Sequence, residues 1–228
     1  MNKIFSVAID GPAGAGKSVI SKAVAEKKKV TYLDTGAMYR AIGLHMLNRG
    51  IALTDVKAMT EEIPNIDMQI RFENQVEHIS INGEDLTPRL RTPEASEASS
   101  MVSAIPEIRV GCVEMQRRIA EGQSVLMDGR DIGTVVLPNA TLKIYLTADV
   151  EARALRRFKE MQEKGDTTQT YEEVLEAMKA RDYADMHRAA SPLRCAEDAR
   201  VLDSTNLSLE DTIKTIESWI DEAVGALS

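Results

Sequence analysis

Aromatic side chains are scarce in this sequence, at 4% of 228 residues with a single tryptophan. Binding nucleic acid by stacking needs aromatic platforms, so that class of function is poorly supplied. The net charge of −8 points the same way, because neutralising a polynucleotide backbone needs a basic field. Local basic clusters can still hold a small phosphate ligand. The two cysteines, Cys112 and Cys195, form no CxxC unit and read as free cytosolic thiols. The three histidines, His45, His78 and His187, are scattered, and nothing has metal-ligand spacing. No apolar run approaches the roughly 20 residues that span a bilayer. The first residues carry one lysine and a short apolar run with no small-residue cleavage pattern, so neither a signal peptide nor an anchor is expected. The expectation is a cytoplasmic protein without nucleic-acid or membrane partners.

A hydrophobic content of 43% supplies a core for one generous domain. "IFSVAI" (4–9), "VTYLD" (30–34), "SVLMD" (124–128), "TLKIYL" (141–146) and "VLD" (201–203) read as short buried strands. Between them lie helical stretches: 17–29, "GAMYRAIGLHMLNRG" ending at Gly50, and 106–121 opening on Pro106. Asp149 is the expected cap of "VEARALRRFKEMQEK", Thr170 with Glu173 forms a capping box for "YEEVLEAMKARD", and Ser208 opens the last helix. Strand–helix alternation predicts an α/β fold with a parallel sheet flanked by helices. The segment 66–87 instead alternates with period two around Asn82-Gly83, which predicts a hairpin within a small antiparallel insertion over about 55–95.

The first strand breaks into "GPAGAGKS", where Gly11, Gly16, Lys17 and Ser18 satisfy G-x-x-x-x-G-K-S between a strand and a helix. In such a loop the residues Gly11, Pro12, Ala13, Gly14, Ala15 and Gly16 turn backbone amides onto phosphate oxygens, and the helix N-terminus faces the same anion. Lys17 would reach the β- and γ-phosphates and Ser18 would ligate Mg²⁺. A glycine-rich turn without a ligand has no use for that lysine and hydroxyl. The expectation is a P-loop NTPase fold, with ATP and Mg²⁺ as cofactors.

No guanine-reading N-K-x-D occurs, which counts against a GTPase switch. Residues 151–200 hold seven arginines against three lysines, and arginine's planar fork suits bidentate phosphate binding. Arg153, Arg156 and Arg157 share one helix; Arg181 and Arg188 lie seven apart, two helical turns if that helix continues. A solvated, salt-bridged helix face explains such residues equally well on composition alone. Thr35, Tyr39 and Arg40 follow one strand end, and Asp128, Arg130 and Asp131 follow another. Ligands of parallel sheets bind at the carboxyl ends of the strands, so Lys17, Arg40 and Arg130 are expected to converge there.

At these residues the chain resembles the cytidylate kinases, in their long bacterial form. The resemblance runs nearly end to end through "IDGPAGAGKS", "YLDTGAMYRA", "RTPEASEASSMVSAIPEIR", "DGRDIGTVVLPNATLKIYL", "RDYADMHRAASPL" and "LDST". It implies ATP-dependent phosphorylation of CMP and dCMP by a monomer. The core would take 1–34, 100–150 and 190–228, the acceptor region about 35–99, and a lid about 151–189. It further implies that Ser100, Arg109 and Asp131 read the cytosine edge and that Asp185 holds the sugar. Thr35, Tyr39, Arg40, Arg130, Arg181 and Arg188 would surround the acceptor and its phosphate, with Lys17, Arg130, Arg181 and Arg188 acting on the transferring charge. Arg153, Arg156 and Arg157 would belong to a lid closing over ATP, and Asp128 would orient a Mg²⁺-bound water. One position departs: Val19 stands where the family usually has a second hydroxyl in the loop. Acceptors such as UMP, AMP or shikimate, or a nucleotide-dependent binding module, are the competing readings.

Overall fold

The computed structural model describes residues 4–73 and 76–227. In chain order the elements are β1 (Ser6–Asp10), α1 (Lys17–Lys28), β2 (Thr31–Asp34), α2 (Thr35–Asn48), α3 (Val56–Glu62), β3 (Met68–Glu73), β4 (Val76–Ile81) and β5 (Glu84–Asp85). They continue with α4 (Pro93–Val102), α5 (Pro106–Ala120), β6 (Val125–Gly129), β7 (Leu142–Thr147), α6 (Val150–Glu163), α7 (Tyr171–His187), β8 (Arg200–Asp203) and α8 (Leu209–Gly225).

The central sheet has the order β2-β6-β1-β7-β8, and every pairing is parallel. Its middle strand, β1, is apolar on both faces because helices cover both. Val7 and Ile9 enter a cluster with Ile20, Val24, Ile213 and Ile216 from α1 and α8. Ala8 points the other way, into a cluster with Met38, Leu44, Ile108 and Cys112 from α2 and α5. Register then fixes the carboxyl ends: Asp34 pairs with Asp128 and Asp10 with Gly129. Three acids thus stand at or one residue before the ends of three adjacent strands, an electrostatically expensive arrangement that packing alone would not select.

The alternating segment folds as a separate sheet of order β3-β4-β5. The expected hairpin turning at Asn82-Gly83 is present, pairing β4 with β5, but it is the shorter of the two antiparallel pairings. The long antiparallel pairing runs from Met68–Ile81 to Glu73–Val76, and the Asn82-Gly83 turn only returns the chain for the two-residue β5. Residues 74 and 75 of that segment lie outside the described residues. Asn82 and Gly83 both take positive φ, 53° and 83°, as that tight turn demands. Ile79 and Ile81 of β4 are fully buried in the α2-side cluster, each worth about 1.5–3 kcal/mol of burial, which docks this sheet on the core.

Two local expectations fail in detail. Asp149 sits at the N-cap of α6 but its side chain makes no capping bond; its own N–H donates to Thr205 Oγ1 instead. Helix α7 stops at His187, leaving Arg188 in extended backbone one residue beyond it. The Thr170–Glu173 capping box is present in both directions, as is the Ser208 cap of α8.

Candidate active site

The loop after β1 needs glycine for a steric reason. A Cβ on Gly11 would stand 1.9 Å from the Leu146 carbonyl oxygen of β7. Gly16 takes φ 83° at the N-cap of α1, offers no side-chain cap, and no acid occupies the first turn. The N-terminal amides of α1 are therefore left for an anion. Lys17, buried as the first residue of α1, donates its Nζ to the carbonyls of Gly11 and Pro12, both at 2.7 Å. Burial first, and the Arg130 guanidinium second, push its pKa well below the ordinary lysine value. An arriving phosphate would relieve both.

Ser18 Oγ donates to Asp128 Oδ2 at 3.0 Å, and Tyr32 Oη donates to Oδ1 at 2.7 Å. Burial, and then the neighbouring Asp34, raise Asp128. Ser18 and Asp128 are the residues able to hold a hydrated divalent cation. Among the described residues no group of three or more His, Cys, Asp or Glu side chains forms a metal cage. Val19 is 60% exposed and adds no polar atom to the loop.

The acceptor side divides into two cationic groups. In the first, Arg40 Nη2 donates to Asp34 Oδ2 at 2.8 Å, Thr35 Oγ1 donates to the Asp128 carbonyl at 2.7 Å, and Arg130 Nε donates to Asp185 Oδ2 at 2.7 Å. Burial alone would raise Asp185, but Arg130 and the nearby Arg181 and Arg188 hold it below the usual carboxylate range. Burial and Arg130 lower the Arg181 pKa. In the second group Arg109 pairs with Asp131 and lies over the Tyr39 ring, with its Cζ 5.3 Å from the ring centroid. Arg188 Nη2 approaches Asp131 Oδ1 to 3.8 Å while its Nε donates to the Ser191 carbonyl at 2.7 Å. Ser100 is exposed on α4, one turn before Ser103, whose carbonyl accepts from Arg109.

The structure corrects the helical argument for Arg181 and Arg188. They reach the same crevice although only Arg181 is on the helix; Arg188 arrives through the extended backbone at the end of α7. The three lid arginines also part company. Arg153 turns inward, donating to the carbonyls of Ala13 and Ala148, both at 2.8 Å, and pairing with Asp182 at 2.7 Å. It clamps α6 and α7 to the phosphate loop. Arg156 donates to the Ser204 carbonyl at 2.6 Å, tying α6 to the end of β8. Arg157 is exposed and pairs loosely with Glu160, at 3.7 Å.

Sequence reasoning passed over Tyr32, Asp34, Asp182, Arg91 and Glu77. Asp34 accepts from Arg40 and Arg91 on one oxygen, and from the Ala37 amide on the other. Glu77 of β4 accepts from the Asp34 amide at 3.0 Å, and burial first, then Asp34, raises its pKa well above the carboxylate range. Glu77 left a signal: it occupies the apolar phase of its strand, shared with Ile79 and Ile81. Both cysteines are free, with Cys112 buried and Cys195 exposed. Among the described residues no helix is long and apolar enough to cross a membrane.

A solved structure of an uncharacterized protein from Eubacterium ventriosum shares the fold at a TM-score of 0.54, with 14% identity over 96% of this chain and 99% of that one. Cytidylate kinase from Caldicellulosiruptor saccharolyticus is 48% identical over 98% of both chains, and that from Caldicellulosiruptor bescii is 49% identical over 94% of both. The family model for cytidylate kinase matches residues 7–222. The match runs over nearly the whole sequence, phosphate loop and three-stranded sheet included, and the chain belongs to the cytidylate kinase family.

Proposed function

We propose that this chain transfers the γ-phosphoryl group of ATP to CMP and dCMP, forming ADP with CDP or dCDP. The observation that carries the reading is a surplus of buried cationic donors beside the phosphate loop. Arg40 Nε, Arg181 Nε and Arg188 Nη2 are buried without a hydrogen-bond partner. Buried polar groups of folded proteins are nearly always paired, so these nitrogens are supported as contacts for a phosphorylated ligand. The uncapped N-terminus of α1, with no acid in its first turn, suits the triphosphate.

The acceptor is itself a phosphate monoester, with a second pKa of about 6, and is already anionic near neutral pH. No general base is required. Lys17 and the backbone N–H groups of residues 13–18 bind and orient the donor; Thr35, Arg40 and Arg130 bind the acceptor phosphate; Arg181 and Arg188 offset the charge passing between them. Arg109, Asp131 and Tyr39 form the base end, with Ser100 at its rim, and Asp185 takes the sugar. Ser18 and Asp128 fit Mg²⁺, Asp128 through a water, and the bound ion would neutralise charge between the terminal phosphates. Arg153 keeps α6 and α7 against the loop and so helps exclude water, the competing acceptor; Arg156 and Arg157 sit further out on that lid. We propose a monomer acting in the cytoplasm.

ADP release measured over CMP, dCMP, UMP, AMP and shikimate tests the reading. CMP and dCMP are expected to be turned over fastest. Equal or faster turnover of another acceptor overturns the cytosine assignment. Hydrolysis indifferent to every acceptor favours a nucleotide-dependent binding module.

A further inference from the structure

Strand β4 places residues 77, 79 and 81 on one face, the face that Ile79 and Ile81 bury against α2. A carboxylate in that phase is costly, and this one lies beside the carboxylates of Asp34 and Asp128. Its Oε2 accepts from the Asp34 amide, while its Oε1 is buried with no hydrogen-bond partner. The acceptor-site arginine next to it shows the complementary defect. Arg40 spends Nη2 on Asp34 Oδ2, and its Nε is buried with no hydrogen-bond partner. Arg91, from the chain leaving the three-stranded sheet, holds the same Asp34 oxygen at 3.2 Å. Asp34 therefore keeps a counter-cation if Arg40 lets go of it.

We infer that Glu77 is a positioning residue for phosphoryl transfer, the point at which the three-stranded sheet acts on the acceptor site. When Arg40 turns from Asp34 to the acceptor phosphate, Glu77 Oε1 takes its Nε–H and sets the guanidinium, while Arg91 remains on Asp34. The orphaned oxygen and the orphaned nitrogen satisfy each other in the bound state. This rests on the proposed CMP and dCMP activity, and it gives the sheet inserted between α3 and α4 a task beyond packing.

Glu77→Gln separates this role from a structural one. Glutamine keeps an oxygen for the Asp34 amide but cannot ionise when Arg40 turns to it, and presents an amide donor toward Arg40. We expect KM for CMP to rise about tenfold, the size of one hydrogen bond to a charged group. KM for ATP should not change, and the thermal midpoint should be unchanged or higher because glutamine carries no cost of a buried acid beside Asp34. In an Arg40→Ala background the same change should add nothing to KM for CMP. Three results overturn the inference: an unaltered KM for CMP, an equal effect with and without Arg40, or a parallel loss in KM for ATP and thermal midpoint. A wild-type chain inactive on CMP fails the proposed function as well, whereas an active wild type with an indifferent Glu77→Gln fails this inference alone.

Discussion

The Ser18 hydroxyl and the Asp128 carboxylate, 110 residues apart in sequence, are joined at 3.0 Å between the first turn of α1 and the end of β6. Parallel pairing of β1 with β6 makes that meeting possible, because Ile9 and Asp128 are register partners just before the loop departs. Replacing Asp128 by Asn leaves the shape and removes the charge. We expect kcat to fall on the order of 10²-fold, as when one preorganised electrostatic contact is lost. Saturation should also require more free Mg²⁺. Initial rates across a magnesium titration check this, and an unchanged magnesium midpoint would remove Asp128 from the metal's surroundings.

Lys17→Met deletes the ammonium that bridges Gly11 and Pro12. Turnover should drop by on the order of 10³-fold or more, since the transferring phosphates lose their nearest cation. The thermal midpoint should move by only a few degrees, because the lost hydrogen bonds are offset by the relieved cost of burying the charge. Rates and a thermal melt on the same preparation decide it; retained activity would refute the loop's role.

Arg188→Ala should leave the fold intact, because Asp131 keeps Arg109 as its partner. We expect kcat/KM for CMP to fall on the order of 10²-fold. Steady-state kinetics against CMP test this, and an unaffected kcat/KM would show that the extended backbone after α7 delivers the side chain for structure alone.

Asp10 accepts from the amides of Ile132 and Gly133 at 2.8 and 2.7 Å, yet burial raises its pKa from 3.8 to about 6. Between those two values the native state holds a proton that the unfolded chain has released. Its contribution to stability is therefore greatest below about pH 4 and is lost as pH rises to 6. Lowering the pH from 7 to 4 should stabilise the wild type relative to Asp10→Asn by up to about 3 kcal/mol. Denaturant midpoints at several pH values measure this difference, and a constant gap between the two proteins would contradict it.

The phosphate loop, the strand–helix alternation and the Thr170–Glu173 cap were legible because each depends on residues within a few positions of one another. Period-two alternation likewise announced strands at 66–87 and the turn at Asn82-Gly83, yet it did not announce the longer pairing of β3 with β4. Asn82-Gly83 is a strong local turn signal, whereas the long pairing of β3 with β4 is decided by which apolar residues dock on α2. Arg153 looked the same as Arg156 and Arg157 on one helix, and only packing separates an inward clamp from an exposed side chain.

What the amino-acid sequence determined unaided is the kind of chemistry on offer: a glycine cradle with its lysine and hydroxyl, and arginines suited to phosphate. These follow from backbone sterics and side-chain donor geometry, which need no distant partner. The tertiary structure alone decided which charges meet. The strand order β2-β6-β1 sets Asp34 beside Asp128 and Asp10 one register step on, and the docked sheet brings Glu77 to Asp34 from 43 positions away. Such meetings arise from burial of apolar faces far apart in the chain, a cooperative outcome that no local stretch encodes.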